Sequence, residues 1–428
     1  MKRLAVSLAA AAALAAQIPT PAPPSTLSLG DARTFALRNN PRIRSADAST
    51  EAAGSVVKEV RSARLPNVTG VATGVEAEHN SILAAGALQT SSLYTRFASG
   101  LAVNQLVTDF GRTSSLTQSA ELKRAAQGSN GQAVREQVLL EVDQAYYRLL
   151  GGNAAVHAAQ AAVSTRDTTL RQIRALAESS MRSTLDVRFA EVALSQAQLD
   201  LFRTENIAAE AQSTLSAALG LRNGQTFTPI DVPAPSALEA TPDARIQEAL
   251  LKRAELKALR QLRESAHQFA TAESRLKMPT VSAVGTAGAI PAGDPRLPET
   301  YGAAGINVTI PILNGGLFSA RRAEAEERAT AAEQDVEELA NQVARDVREA
   351  WLEANTAARL MDVTARLLAE ATEALRLAQT RYDAGLGSIV ELSQAQFNQT
   401  SADIQNATAR YEYLSRRAAL DYAVGDLQ

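Results

Sequence analysis

The chain has 428 residues, no cysteine, a net charge of −3 and only 4% aromatic residues. It therefore lacks disulfides, thiolate nucleophiles and cysteine metal sites, and its charge leaves no footprint for nucleic acid or an anionic membrane surface. Alanine-rich sequence with Glu, Arg, Leu and Gln fits long, closely packed helices better than two globular domains.

Lys2-Arg3, the apolar run from Leu4 to Leu14 and the small residues of Ala13-Leu14-Ala15 predict a cleaved export signal over residues 1–15. At about 1.5 Å per residue that run is short for a ~30 Å hydrocarbon core, and no later window is apolar enough for a membrane helix. With no cysteine to carry a lipid, the exported chain is expected to lack a lipid anchor. Pro19, Pro21, Pro23 and Pro24 predict an extended tail over residues 16–27.

Two structural repeats follow, over residues 28–224 and 243–428, joined by a linker at 225–242. Each opens with a helix, and the first is then predicted to hold a β-hairpin at about 66–107, a long helix at about 112–179 and a second helix at about 184–219. In the second repeat the same elements are expected at about 279–311, 317–384 and 388–424. Ala145-Tyr146 and Ala350-Trp351, Leu185-Asp186-Val187 and Val390-Glu391-Leu392, and Ala218-Leu219-Gly220 and Ala423-Val424-Gly425 all stand 205 positions apart. A duplicated unit of this kind cannot bury its apolar face alone and closes with copies of itself, which points to a tube.

In the strands, Thr69, Val71, Thr73 and Val75 alternate with Gly70, Ala72 and Gly74. Leu93, Phe97, Leu101 and Val103 share one face against Arg96, Gly100 and Asn104, and Ile306, Val308 and Ile310 alternate with Gly305, Asn307 and Thr309. The pattern suits a membrane barrel and equally a soluble antiparallel sheet. Four strands per chain cannot make a pore alone, so the barrel reading requires an oligomer that closes the edges.

Between Leu317 and Ala384 there is neither Pro nor Gly. The seam Val336, Ala340, Val343, Val347, Ala350, Ala354, Ala357, Met361, Thr364, Leu368, Ala371, Leu375, Ala378 and Tyr382 steps by four and three, which implies supercoiling against neighbours. In the first copy Gly128, Gly131 and Gly151-Gly152 are the expected places for bends.

Four segments together resemble the TolC-like outer-membrane efflux protein family over nearly all of the mature chain. They are Leu29-Gly30-Asp31-Ala32 through Asn40-Pro41, the strand-to-helix join Val103 to Arg112, its second copy Val308 to Gly316, and the hairpin tip Arg381-Tyr382-Asp383-Ala384-Gly385 through Ala395-Gln396. The resemblance implies a mainly α fold with a small membrane β part. It implies a homotrimer with a twelve-stranded β-barrel in the outer membrane and a twelve-helix α-barrel tunnel through the periplasm. It also implies contact with outer-membrane lipid and two partners: a periplasmic adaptor and an inner-membrane transporter of the RND, ABC or MFS type.

Carried over residue by residue, the resemblance puts an acidic aperture at Asp186 and Glu391 and a latch at Tyr382. The arginine that pairs with the first acid in the family is Gly387 here, with Arg182 as its substitute, and the second acid of the ring is Gln394. A loosely latched gate with one acidic ring is expected, selective for cations. Asp186 and Glu391 also read as first-turn carboxylates behind the caps Ser183 and Ser388, a role compatible with the aperture. The adaptor is expected to dock on the tips, at Ser180, Met181, Ser183, Gly385, Leu386, Gly387 and Ser388.

Other motifs are set aside. Asp109-Phe110-Gly111 spells a kinase triplet but reads as the strand-to-helix turn. His79, His157 and His267 share no ligand spacing, so no metal or cofactor is expected. No nucleophile elbow, zinc-protease motif or P-loop occurs, so no enzyme is expected. Arg321, Arg322 and Arg328 with Glu324, Glu326 and Glu327 read as a solvated face, and Tyr146 and Trp351 as packing or mid-tunnel contacts. The expected function is the exit duct of a tripartite efflux pump in the outer membrane. The alternatives are the duct of a type I protein secretion system and a soluble periplasmic coiled-coil scaffold.

Overall fold

The structure, a computed structural model, describes residues 25–78, 82–85, 88–92, 94–222, 224–233, 238–295 and 297–427. The export signal, Pro19 to Pro24, His79 and Leu93 lie outside them. In chain order the elements begin with β1 (Thr26–Leu27), α1 (Leu29–Asn39), α2 (Pro41–Ser62), β2 (Asn67–Val75), β3 (Ile82–Ala85), β4 (Leu88–Ser92) and β5 (Arg96–Thr108). Then come α3 (Arg112–Glu178), α4 (Thr184–Ala218), β6 (Thr228–Pro229), α5 (Asp243–Lys252) and α6 (Ala254–Ser274). The chain finishes with β7 (Thr280–Gly293), β8 (Thr300–Thr309), α7 (Leu317–Asp383) and α8 (Ile389–Val424).

The helices α3 and α7 have 67 residues each, roughly 100 Å at about 1.5 Å per residue. The start of α3 is fixed by Asp109, whose carboxylate accepts the N–H groups of Gly111 at 3.1 Å and Thr113 at 2.6 Å. Phe110 and Gly111 make this turn at φ +54° and +90°, and the matched Gly315 and Gly316 repeat it at +59° and +86°. The kinase-like triplet is thus a strand-to-helix turn. Every residue of the α7 seam is buried or half-buried. In α3 the glycines do not interrupt the helix. They admit neighbours: a Cβ on Gly152 would lie 3.1 Å from the Ala208 Cα of α4, and Gly151 faces Tyr411 of α8.

The helices form a wall with the order α2, α3, α6, α7 near the strands and α4, α3, α8, α7 towards the far end. Arg42 pairs with Glu141 and Arg61 with Glu121 between α2 and α3, and Arg416 pairs with Glu353 between α8 and α7. Arg321, expected on a solvated face, instead reaches the buried Glu273 of α6 at 2.7 Å, while Arg322–Glu326 and Arg328–Glu324 are surface pairs. The helices of the two halves meet end to end. Asn40 caps α2 and donates to the Ala218 carbonyl of α4 at 3.0 Å. At the matched joint Arg253, at the start of α6, donates to the Ala423 carbonyl of α8 at 3.3 Å. Gly220 and Gly425 close these joints at φ +79° and +86°, positions that favour glycine.

The main core lies at this middle level, where Val138, Val142, Tyr146 and Leu149 of α3 pack on Leu27, Ala36, Leu215 and Leu414. β1 and β6 pair in parallel there. The Tyr146 hydroxyl lies 2.8 and 2.7 Å from the Leu27 and Ile230 carbonyls, which share its one proton, and the Trp351 ring N–H donates to the Glu239 carbonyl at 3.1 Å. Both aromatics are therefore packing contacts that hold the connecting segments.

At the other end β2, β5, β7 and β8 form one antiparallel sheet in that order. The register puts Val68, Phe97, Leu101, Val103, Val281, Ile306 and Val308 on one face. Thr69, Thr73, Arg96, Asn104, Ser282, Thr286, Asn307 and Thr309 share the other. Val71 and Val75 lie on this polar side, because the apolar side of β2 is largely glycine and alanine. Leu101 and Phe97 stand opposite Gly70 and Gly74 there and supply the bulk those residues lack.

β2 and β8 are the sheet edges, with no further strand beside them among the described residues. α4 and α7 are likewise the outer helices of the wall's far half. Each carries an exposed apolar stripe: Leu185, Phe189, Val192, Leu199 and Phe202 on α4, and Leu360, Val363, Leu367 and Leu377 on α7.

Candidate functional site

The far end of the wall is made by two helical hairpins whose turns lie between α3 and α4 and between α7 and α8. Ser183 and Ser388 cap the helices that leave the turns, accepting from Leu185 N–H and Glu391 N–H at 3.1 Å each. Asp186 and Glu391 therefore sit in the first helical turn, where the helix dipole favours a carboxylate. Ser180 and Gly385 turn the chain at φ +58° and +73°. Gly387 packs under Arg381, where an added Cβ would lie 3.2 Å from the Arg381 Cβ. Met181 and Leu386 project to solvent at 71% and 74% exposure, and Leu185 and Val390 are exposed beside them.

A small apolar core of Leu170, Ile173, Ala190, Tyr382, Ile389 and Leu392 ties the two hairpins together. Tyr382 is buried within it, and its hydroxyl has no hydrogen-bond partner. Burial pushes the phenol up, and the negative charge of Asp186 adds to the effect. Arg182 closes over this ring from the first hairpin, its guanidinium 4.2 Å from the ring centroid, and donates to the Tyr382 carbonyl at 2.6 Å. A guanidinium carbon at this distance over a ring makes a cation–π contact. So the structure brings Arg182 to Tyr382 and not into a bonded pair with Asp186, whose carboxylate makes no hydrogen bond or ion pair among the described residues. Glu391 pairs with Arg381 of the same hairpin at 3.3 Å. Gln394 donates to Asn398 one helical turn on, at 2.9 Å.

Two residues escaped the sequence reading. Arg381 lies in the tip motif, but its pairing with Glu391 depends on how the turn folds back. Arg166 is buried between α3, α4 and α8, and its signal was a charged residue on an otherwise apolar seam with Ala159, Leu170 and Ile173. A larger recess of about 910 Å³ lies at mid-wall beside Gly151 and Gly152. Its charges are mostly paired internally, Arg42 with Glu141 at 2.6 Å and Arg416 with Glu412 at 2.7 Å. Among the described residues no group of acidic and histidine side chains could hold a metal, and His267 pairs with Glu333 at 3.0 Å.

A family model described as outer membrane efflux protein matches residues 34–221 and 245–426, both repeats. The chain belongs to this family. Outer membrane protein TolC of Vibrio cholerae serotype O1 is 24% identical over 413 residues, 94% of this chain and 91% of that protein. Outer membrane protein OprJ of Pseudomonas aeruginosa is 25% identical over 85% of this chain and 76% of its own length. Among solved structures, a membrane protein from Pseudomonas aeruginosa superposes with a TM-score of 0.81 at 23% identity, covering 93% of this chain and 90% of its own. As an outer membrane efflux protein the chain is an exit duct for efflux across the outer membrane and a conduit, with no bond chemistry of its own. Its mainly helical fold with a small sheet is the tunnel-and-barrel architecture. Membership also sets the channel above the soluble coiled-coil scaffold.

Proposed function

We propose that three copies of this outer membrane efflux protein close into one duct, a twelve-stranded barrel in the outer membrane continued by a twelve-helix tunnel through the periplasm. One observation carries the reading: the sheet and the helical wall have their open flanks on the same two sides. β2 follows α2, which meets α4 end to end, and β8 leads into α7. The flank β2–α4 thus offers an unpaired strand edge and an apolar stripe, and the flank β8–α7 offers the same. Two different surfaces that complement each other make a head-to-tail contact, which closes into a ring and leaves no edge. The apolar face with Phe97, Leu101, Ile306 and Val308 then meets lipid, and the face with Arg96, Asn104 and Asn307 lines water.

The hairpin tips form the aperture in this proposal. Arg182 on Tyr382 holds the hairpins together, Asp186 is the free carboxylate of the throat, and Glu391 acts with its charge partly offset by Arg381. Met181, Leu386 and the small residues Ser180, Ser183, Gly385, Gly387 and Ser388 offer the adaptor a docking rim. Through the adaptor the duct serves an inner-membrane transporter, and the family's efflux character favours small-molecule export over protein secretion. The mature chain begins after removal of the export signal.

Because the chain has no cysteine, pairing across the flanks is directly testable. Leu199→Cys on α4 and Leu367→Cys on α7 stand at similar distances from the tips. Oxidation of this double variant in cells is expected to give a ladder ending at three copies. Monomer alone would sink the ring.

A further inference from the structure

Arg166 stands where the seam of α3 calls for an apolar side chain. Ala155 and Ala159 precede it, Leu170 and Ile173 follow it, and the matched position of α7, 205 residues on, is Ala371. The residue is 5% exposed. Its guanidinium donates to the Ala193 carbonyl of α4 at 3.1 Å and to the Thr400 hydroxyl of α8 at 3.2 Å, both neutral acceptors. Among the described residues no carboxylate pairs with it, and Asp200 acts only from a distance. Burial accordingly pulls its pKa down. Arginine is almost never buried without a counter-charge, because two neutral hydrogen bonds do not offset the loss of water around a guanidinium.

Beside Arg166 lies a cavity of about 120 Å³, lined also by Gln396, Gln399, Thr400 and Asp403. Gln396 is itself 5% exposed. The side-chain amides of the buried Gln396 and the half-buried Gln399 make no hydrogen bond among the described residues, so both are free to meet a guest in this space. At roughly 30 Å³ per water the space suits one small ion and a few waters. The donors around it are a guanidinium and two amides. Asp403 works against multiply charged anions and so narrows the class.

We propose that this cavity binds one small monovalent anion of halide size, held by the Arg166 guanidinium and the amide N–H groups of Gln396 and Gln399. The ion supplies a direct pair for the guanidinium, which neither Asp200 nor Asp403 makes. It joins α3 and α8, with Leu375 of α7 beside it and α4 held through the Arg166 guanidinium, about 12 residues (Arg166 to Glu178) above the first hairpin tip, roughly 18 Å along the helix, and so stiffens the wall just above the aperture. The site belongs to a single chain, and its failure would leave the ring and the gate as they stand.

The test uses the detergent-solubilised protein, with chloride and bromide as probes. Melting temperature is measured in sodium chloride and in sodium gluconate at equal ionic strength, for the native chain, Arg166→Met and Gln399→Leu. The expected result is a melting temperature that rises with the logarithm of chloride concentration in the native chain, and a loss of that slope in both variants. Crystals grown in bromide are expected to show an anomalous peak beside the guanidinium. A native chain that melts identically in chloride and gluconate, with water alone in the cavity, would overturn the proposal. So would a chloride slope that survives in Arg166→Met. Should that variant not fold, an undiminished slope in Gln399→Leu decides against the site in the same way.

Discussion

The helices α3 and α7 have equal length, 67 residues, and start 205 positions apart, yet their surroundings differ. α3 has neighbours on both sides, so Val138, Tyr146, Leu149 and Ile173 are all core. α7 has neighbours on one side within the chain, and its Leu360, Val363 and Leu367 are exposed. Duplication copied the apolar pattern. Place in the wall then decided whether an apolar residue became core or interface. Arg166 against Ala371 and Asn40 against Arg253 show that chemistry followed place as well.

The contrast can be broken in graded steps. The largest effect is expected on the α7 flank, where Leu360→Lys with Leu367→Glu should leave a folded single chain that no longer assembles. Circular dichroism together with mass in detergent checks this, and a variant that still forms the full assembly removes the stripe from the interface. Next comes the interior helix. Gly152→Leu forces a side chain against the Ala208 backbone and should destabilise the chain itself by roughly 1–3 kcal/mol, read as a lower melting temperature before any question of assembly. An unchanged melting temperature would mean that α4 can withdraw freely. At the tips, Arg182→Ala removes the cation–π contact with Tyr382, worth about 0.5–1 kcal/mol. It should raise single-channel conductance in planar bilayers, and equal conductance would place the latch elsewhere.

The smallest effect concerns Glu136, buried near α6 with one carboxylate oxygen unpartnered. Burial, opposed by the hydrogen bond from Gln132, raises its pKa. A carboxyl raised in the folded state contributes stability at low pH that is lost as pH climbs through the folded value. Glu136→Gln should therefore raise the melting temperature at pH 7.5, by an amount that shrinks as pH falls towards the ordinary glutamate value of 4.5. A gain independent of pH would show that charge is not the cause.

The sequence made the helical wall legible because the α7 seam lacks Pro and Gly and keeps a strict three-four step. The strand-to-helix turns were legible through Asp109-Phe110-Gly111 and Asn314-Gly315-Gly316, where glycine favours the left-handed positions and, in the first copy, the Asp109 side chain caps the helix. A helix opening each copy was legible, but the residue-by-residue correspondence of α1–α2 with α5–α6 was hidden. It runs at an offset of 213, seen as Asn40 against Arg253, because the first strand pair carries the longer connection, with β3 and β4 in it. Equal roles there use unequal residues, an amide in one copy and a guanidinium in the other. At the tips the acids and the tyrosine could be picked out by motif. The contact of Arg182 with Tyr382 and the pairing of Arg381 with Glu391 could not, since the first depends on how two turns face one another and the second on how one turn folds back. The faces of β2 were also open to error, because Val71 and Val75 suggest an apolar side that the register gives to glycine and alanine.

The most direct measurement is the mass of the mature protein taken from the outer-membrane fraction in mild detergent and corrected for bound detergent. Three chains per particle are expected. A particle of one chain would contradict this, because a single copy leaves both sheet edges and both apolar stripes without partners.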